Sequence, residues 1–172
     1  YDEYNILTWV NPHTSRLIST RNFELSNSEG VQFGRAVSQW CVIDFEKRMP
    51  VSLEEIDSLF EGKFCDAPSP CERPRRLGSV ESEPVAEHKV VYSDIDFNRH
   101  MNTMRYIDIV FDTMPIEVVE NMNALRMDIN FTKEARYGDS LKLMAKESEL
   151  SRDYEFRNAE GDIICRMSLE LR

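Results

Sequence analysis

One amphipathic helix followed by an unbroken run of strands constrains the fold of this chain more than any other feature. Apolar residues recur at helical spacing, as at Tyr106 and Val110, and predict a helix over 103–114. Asn102 is its expected N-cap, and Pro115 is expected to end it. Strand-like patterns lie before the helix at 85–92 and after it at 124–132, 140–146, 153–158 and 162–171. Because consecutive strands usually pair antiparallel, this order predicts an α+β fold with a helix against an antiparallel sheet.

The first half of the chain shows strands without a long helix before them. Strand-like patterns cover 4–10, 17–25 and 31–45, and a short capped helix is expected from Ser52 through Phe60. The next stretch, 61–84, holds four of the seven prolines and no sustained periodicity, which is typical of a linker. We therefore expect a first domain at 1–60, a linker at 61–84 and a second domain at 85–172. The first domain looks like the second with its opening residues cut off.

The charge balance disfavours two classes of function. The 172 residues include 21 Lys and Arg against 31 Asp and Glu, which gives a formal net charge of −10. Binding to nucleic acids or to membrane surfaces rests on basic surface, and so acidic a chain argues against both. No apolar run approaches the roughly 18 residues of a membrane-spanning helix, and no secretory signal is present, so we expect a cytoplasmic protein.

The four cysteines favour neither a metal site nor disulfides. Cys41, Cys65, Cys71 and Cys165 form no CxxC pair, and the three histidines lie far from them in sequence. Without a secretory signal, we expect reduced thiols that mostly serve packing. A nucleophilic pair of His100 with Cys165 or Cys41 stays open, although nothing in the sequence demands it.

The densest group of polar residues lies at 93–100, between a strand and the helix. In an extended segment, Asp96, Asn98 and His100 would present a carboxylate, an amide and an imidazole on one side. The helix that follows would add the positive end of its dipole and unpaired N–H groups. Such groups can polarise a carbonyl and stabilise an oxyanion. The alternative is a solvated loop with a capping Asx residue and a surface histidine.

A basic cluster interrupts the proline-rich segment at Arg73, Arg75 and Arg76. Most clusters of this kind are simply solvated charge. In a chain of net charge −10, however, this cluster is also a candidate landing patch for an acidic partner.

The motif around the polar residues resembles that of a known family. Ser-Asp-Ile-Asp-Phe-Asn-Arg-His-Met-Asn at 93–102, followed by Tyr106 and Ile107, is similar to the signature of acyl-acyl carrier protein thioesterases of the bacterial and plant plastid type. Three shorter stretches resemble the later strands of that family's first domain, at 8–10, 21–25 and 38–48. The resemblance covers most of the chain outside 61–84.

The resemblance implies tandem hotdog folds, each a long helix wrapped by an antiparallel sheet, with the first hotdog N-terminally incomplete in this chain. A hotdog sheet without its helix exposes an apolar face. We therefore expect that residues absent from the front of this sequence, or a partner chain, cover that face. The oligomeric state stays open between pairing of the two units within one chain and a homodimer.

The resemblance also implies an activity and the residues that perform it. The activity is hydrolysis of the thioester between a fatty acyl chain and the phosphopantetheine arm of acyl carrier protein, in fatty acid biosynthesis, with no metal and no cofactor. The family's catalytic positions fall on Asp96, Asn98, His100 and Glu134. Plant members carry a cysteine after the glutamate, and Ala135 stands there in this chain, which excludes a nucleophilic cysteine at that position.

The chemistry of thioester hydrolysis assigns roles to these residues. Glu134 is the candidate general base, or a nucleophile that forms a transient anhydride. Asn98 and His100 would hold the carbonyl or the water, and Asp96 would orient its neighbours. The arginine cluster would bind the carrier protein. Two alternatives stay open: an acyl-CoA thioesterase of the hotdog group, and a non-catalytic module that binds acyl chains or the carrier protein.

Overall fold

Strand-forming segments of the chain pair into two antiparallel sheets, one in each of two units. The first unit ends at Pro74 and the second starts at Arg75, so the boundary falls inside the 61–84 segment. No described helix is long and apolar enough to cross a membrane. The computed structural model describes residues 2–44, 46–47, 49–59, 62–148 and 151–171.

The first sheet has three strands in the order β1–β2–β3. They are β1 (Tyr4–Val10), β2 (Ser19–Asn27) and β3 (Gln32–Trp40). The third strand is shorter than predicted, because Val42 and Val51 pair with each other, with Val51 N–H donating to the Val42 carbonyl at 2.9 Å. Phe45, the predicted end of this strand, lies outside the described residues, and so does Phe60, the predicted end of the short helix.

The two faces of the first sheet differ in what covers them. On one face, Asn22 is fully buried, and the indole N–H of Trp9 donates to the Ala67 carbonyl at 3.3 Å. Asn11 Nδ2 donates to the same carbonyl at 2.8 Å. Four large side chains on the other face are each more than half exposed, namely Tyr4, Ile6, Phe33 and Trp40. The first unit therefore presents one face that is covered around Asn22 and one exposed apolar face.

The prediction of a short capped helix before 61–84 is wrong. Two separate 3-10 turns, Leu53–Glu55 and Asp57–Leu59, occupy this stretch. Ser52 does not cap either turn, and its Oγ is buried without a hydrogen-bond partner among the described residues. Leu53 instead donates its N–H to the Arg16 carbonyl at 2.7 Å and buries its side chain. A tertiary contact, rather than an N-cap, holds this stretch in place.

The second unit is a five-stranded sheet in the order β4–β6–β7–β8–β5, with every neighbouring pair antiparallel. Its strands are β4 (Pro84–Lys89), β5 (Leu125–Phe131), β6 (Ser140–Glu147), β7 (Arg152–Arg157) and β8 (Ile163–Leu171). Between β4 and β5 lie the 3-10 turn Tyr92–Asp94 and the helices α1 (Thr103–Asp112) and α2 (Ile116–Glu120). The predicted α+β arrangement on an antiparallel sheet is confirmed.

Helix α1 buries its predicted apolar face against the sheet. Val110 is fully buried, and the ring of Tyr106 meets the ring of Phe156 edge-on, with centroids 5.2 Å apart. Asn102 caps the helix as predicted, because its side-chain oxygen accepts the Met104 N–H at 2.9 Å. The packing of Tyr106 and Val110 and the cap by Asn102 together fix the position of the first turn of α1, which follows the polar loop.

The end of α1 differs from the prediction. The helix stops at Asp112, and Pro115 directly precedes a second, five-residue helix instead of opening a loop. Proline suits a helix start, where the N–H that it lacks would have no partner inside the helix. The expectation of a single helix in this half of the chain is therefore wrong.

Residues 75–80 cross the polar face of the second sheet, opposite α1, and we call this segment the strap. Asn130 binds it twice: the Leu77 N–H donates to Oδ1 at 2.8 Å, and Nδ2 donates to the Arg75 carbonyl at 2.9 Å. The Val80 N–H donates to Glu155, whose carboxylate is fully buried. This part of the 61–84 segment is fixed to the second sheet.

Candidate active site

Asp96 shapes the loop that leads into α1. Its N–H donates to the His100 carbonyl at 2.9 Å, and its Oδ1 accepts the N–H groups of Asn98 at 2.8 Å and His100 at 3.3 Å. Arg99 adopts φ of 66°, in the left-handed region that tight turns use. The segment is therefore a turn, and not the extended strand that would align the three polar side chains on one side.

His100 and Glu134 are in direct contact. His100 Nε2 lies 3.0 Å from Glu134 Oε2, and the side chains are 28% and 41% exposed. Glu134 lies in the loop after β5, and both side chains remain accessible to a ligand.

Backbone contacts join the two loops that carry this pair. The Met101 N–H donates to the Ala135 carbonyl at 2.8 Å, and His100 and Arg136 form an isolated antiparallel bridge. The backbone of Ala135 also hydrogen-bonds to the hydroxyl of Tyr106, whose pKa is raised by burial. Helix α1 and the two loops therefore form one connected site.

Arg136 is a neighbour of the pair that the sequence analysis missed. Its Nη2 lies 3.3 Å from Oε2 of Glu134, the same oxygen that His100 contacts. Glu134 and Arg136 are two residues apart in a loop, and no sequence pattern predicts that side chains at this spacing meet. The site therefore combines an acid, an imidazole and a guanidinium.

Asn98 takes no part in these contacts. It is exposed, and its side chain makes no hydrogen bond within the part of the chain that the structure describes. Phe97, beside it, is 94% exposed. The amide of Asn98 is therefore available to a ligand that approaches the loop.

The three clustered arginines have different surroundings. Arg75 Nη2 lies 2.7 Å from Asp128 Oδ2, and its Nη1 pairs with Glu170. Hydrogen bonds to Glu170 and Asp128 raise the pKa of Arg75. Arg73 and Arg76 are exposed and form no ion pair with the described residues. Arg75 therefore anchors the strap, whereas the other two guanidinium groups face solvent.

Burial argues against Cys165 as a nucleophile. Its side chain is fully buried, and burial raises its pKa to about 12, so it stays a thiol at neutral pH. All four cysteines are free of disulfides, as expected. Cys41 and Cys65 are exposed, so the expected packing role applies to Cys165 and not to them.

The candidate active site holds no metal-binding cluster among the described residues, and it lies away from the cavity beside the strap. The described residues contain no group of three or more His, Cys, Asp or Glu side chains that could hold a metal ion. A cavity of about 310 Å³ lies beside the strap, lined in part by Arg76, Lys146 and Ser151. His100 and Glu134 do not line it, and they form an open site on the loops.

The sequence of the second unit matches one protein family. The model of the acyl-ACP thioesterase C-terminal domain matches residues 78–172, which is more than half of the chain. This range contains Asp96, Asn98, His100 and Glu134. The chain therefore belongs to the acyl-ACP thioesterase family.

Two curated relatives are plant proteins. The chloroplastic palmitoyl-acyl carrier protein thioesterase of Gossypium hirsutum is 24% identical over 86% of this chain and 37% of its own length. The protein of the same description from Arabidopsis thaliana is 22% identical over 99% of this chain and 42% of its own length. The chain thus spans about two fifths of the length of the curated relatives that it matches.

Solved structures show the same fold. An acyl-ACP thioesterase from Bacteroides thetaiotaomicron superposes with a TM-score of 0.84 at 30% identity, over 100% of this chain and 70% of that one. The 12:0-ACP thioesterase from Umbellularia californica superposes with a TM-score of 0.80 at 17% identity, over 99% and 68%. The fold is accordingly of the hotdog type.

Proposed function

We propose that the protein hydrolyses the thioester between a fatty acyl chain and acyl carrier protein and releases a free fatty acid. The 3.0 Å contact between His100 Nε2 and Glu134 Oε2 carries this proposal, because it sets an oriented carboxylate on an accessible loop. Family membership and the names of the relatives support the substrate class. No metal and no cofactor enter the proposed reaction.

In the proposed reaction, Glu134 acts as a general base on water. It takes a proton as the water oxygen bonds to the thioester carbon, and the carbonyl electron pair moves to oxygen. Asn98 would donate its amide N–H to this oxyanion, while His100 holds Glu134 in place. The C–S bond then breaks, and the thiolate takes the proton from Glu134. The products are a fatty acid and the thiol of the carrier.

A nucleophilic role for Glu134 is the second route. Its oxygen would bond to the thioester carbon, the C–S bond would break, and water would cleave the resulting anhydride. Hydroxylamine added during turnover distinguishes the routes, because it converts such an anhydride into a hydroxamate on Glu134. Peptide mass spectrometry detects that adduct. Its absence during rapid turnover supports the general-base route.

The substrate carrier is proposed to dock near the basic cluster. Arg73 and Arg76 are exposed and without ion pairs among the described residues, so they can meet acidic groups of a carrier protein. Arg75 is already paired with Asp128 and Glu170 and would contribute by holding the strap. An acyl-CoA thioesterase would not depend on this patch, which separates the two substrates experimentally.

The organisation of the chain is part of the proposal. Tandem hotdog domains at 1–60 and 85–172, joined through 61–84, are supported by an antiparallel sheet in each unit. The place in fatty acid biosynthesis, the cytoplasmic location and a homodimer stay predictions. Light scattering of the purified protein would distinguish a monomer from a dimer.

The test is release of free fatty acid from a panel of acyl-acyl carrier proteins of different chain length. Glu134→Gln removes the proposed base, and Glu160→Gln makes the same chemical change in an exposed turn. We expect release by the unaltered protein and by Glu160→Gln, and loss of release in Glu134→Gln. Bound acyl chains without release from the unaltered protein would instead favour the non-catalytic binding module.

A further inference from the structure

Asp94 is a buried carboxylate that the proposed reaction does not use. It ends the 3-10 turn Tyr92–Asp94, two residues before Asp96. Its exposed fraction is 0%. Because aspartate is almost never fully buried unless it is paired, its surroundings point to a specific task.

Three donors from different elements converge on this carboxylate. Oδ2 accepts from His88 Nε2 at 2.7 Å and from the Val91 N–H at 2.8 Å, and Oδ1 accepts from Arg105 Nε at 2.9 Å. The backbone carbonyl of Asp94 accepts the Asn102 N–H at 2.8 Å. Burial opposes ionisation, but these hydrogen bonds outweigh it and hold the pKa of Asp94 below its usual value.

The donors lie on both sides of the loop that presents His100. His88 belongs to β4, before the loop, and Arg105 belongs to α1, after it. The loop itself closes at its base through the bridge between Ile95 and Met101. Asp94 therefore ties the strand and the helix together where the loop begins and ends.

We propose that Asp94 is a positioning residue that holds the 95–101 loop so that His100 reaches Glu134. The hydrogen bonds of Asp96 fix the internal shape of the loop, but they do not fix its direction. The bond from Met101 to Ala135 and the bridge between His100 and Arg136 join the two loops to each other. The bonds of Asp94 add a second attachment, to the strand before the loop and to the helix after it.

The kinetic part of this role rests on the proposed hydrolysis, whereas the contact between His100 and Glu134 can be observed without any substrate. The test variant is Asp94→Asn, which keeps the shape of the side chain and removes its charge. Asp128→Asn is the matched control, because Asp128 is also buried, at 5% exposure, and paired with Arg75 and Arg126. It lies on the sheet face opposite α1, so both variants lose a buried, paired carboxylate but only one lies beside the loop.

The first readout is the ring resonance of His100 in NMR spectra, assigned by its loss in His100→Gln. Glu134→Gln is introduced into the unaltered protein, into Asp94→Asn and into Asp128→Asn. We expect it to shift the His100 resonance in the unaltered protein and in Asp128→Asn, and to leave it unmoved in Asp94→Asn. A full shift in the Asp94→Asn background would overturn the proposal.

The second readout is steady-state hydrolysis below the unfolding temperature of each variant. Asp94→Asn should lower kcat about 100-fold with little change in KM, the size expected when a reacting group is misplaced by about 1 Å. Asp128→Asn should keep its kcat, and equal losses in both variants would contradict positioning. If the unaltered protein releases no fatty acid, the proposed function fails and the NMR comparison alone decides the role of Asp94.

A milder variant guards against loss of folding. His88→Leu removes one of the three donors and leaves the ion pair of Asp94 with Arg105 in place. It should give the same pattern as Asp94→Asn with a smaller loss of kcat. An unchanged kcat and an unchanged response of His100 would both count against the proposal.

Discussion

Arg75 binds Asp128 through two separate groups, its side chain and its own backbone. Arg75 Nε donates to Oδ2 at 2.8 Å, and the Arg75 N–H donates to Oδ1 at 3.2 Å. This double contact fastens the strap to a carboxylate that is 5% exposed. One arginine of the basic cluster thus has a structural task, and the cluster divides into parts that can be tested separately.

Arg75→Ala should destabilise the folded protein. The change removes the main ion pair of the strap, but Arg126 still pairs with Asp128 at 3.0 Å. Because the Arg75 side chain is also partly exposed, we expect a loss of about 1 kcal/mol in the free energy of unfolding. Urea titration measures it, with the exposed Arg76→Ala as the control. Equal stability of the two variants would contradict the anchoring role.

Arg73 and Arg76 should matter for the carrier protein and not for stability. Changing both to Ala should lower kcat/KM about fivefold on acyl-acyl carrier protein, the size expected for two exposed charges, and leave acyl-CoA turnover unchanged. The control replaces two exposed lysines on strands, Lys89 and Lys142, by Ala. An equal loss on both substrates would refute a carrier-binding patch.

Acid should remove the contribution of Asp128 to stability. Burial opposes its ionisation, but hydrogen bonds from Arg126 and Arg75 lower its pKa in the folded state. A lowered folded-state pKa contributes stability above the usual carboxylate pKa of about 4, and this is lost as the pH falls through the folded value. The stability difference between the unaltered protein and Asp128→Asn should therefore shrink on acidification. Urea titrations across this range measure it.

Asn130→Ser provides the control for that titration. It removes a strap anchor that does not titrate, so its destabilisation should be the same at each pH. A difference for Asp128→Asn that is independent of pH would show that its charge does not matter.

Truncation of Asn98 and truncation of Asp96 should affect fatty acid release and stability differently. Asn98→Ala should lower fatty acid release and leave stability unchanged, because the side chain makes no hydrogen bond within the described part of the chain. Asp96→Ala should lower both release and stability, the latter by about 1 kcal/mol, because two loop N–H groups lose their acceptor. Asp96→Asn should restore much of the stability, since an amide oxygen accepts the same bonds. Release assays and urea titration together separate the two roles.

Cys165 should be inert in the folded protein. Burial raises its pKa to about 12, so iodoacetamide at neutral pH should label the exposed Cys41 and Cys65 but not Cys165. Cys165→Ala should keep fatty acid release and lose some stability through the cavity that it leaves. Loss of release at unchanged stability would reopen a cysteine mechanism.

Local patterns predicted the elements of the second unit well. The apolar spacing of Tyr106 and Val110 and the capping side chain of Asn102 all act within a few residues, and the structure confirms each of them. The sequence did not predict that α2 starts directly after Pro115, because proline occurs both after the end of one helix and at the start of another.

Contacts between distant residues had no such local signal. Asp94 accepts hydrogen bonds from His88, six residues before it, and from Arg105, eleven residues after it. Because aspartate is usually exposed, its residue type predicts a surface position and not a buried one. Glu134 was identified only through the family resemblance, since a glutamate at the end of a strand has no pattern of its own. Its contact with His100 depends on the position of β5 in the sheet, which pairing between strands distant in sequence determines.

The strand order makes the position of Glu134 depend on β8, the last strand that the structure describes. Glu134 follows β5, and among the described strands β5 pairs only with β8 (Ile163–Leu171). A nascent chain that still lacks β8 holds every proposed catalytic residue but lacks the strand with which β5 pairs. The site can therefore form in full only after β8 has been synthesised and has joined the sheet.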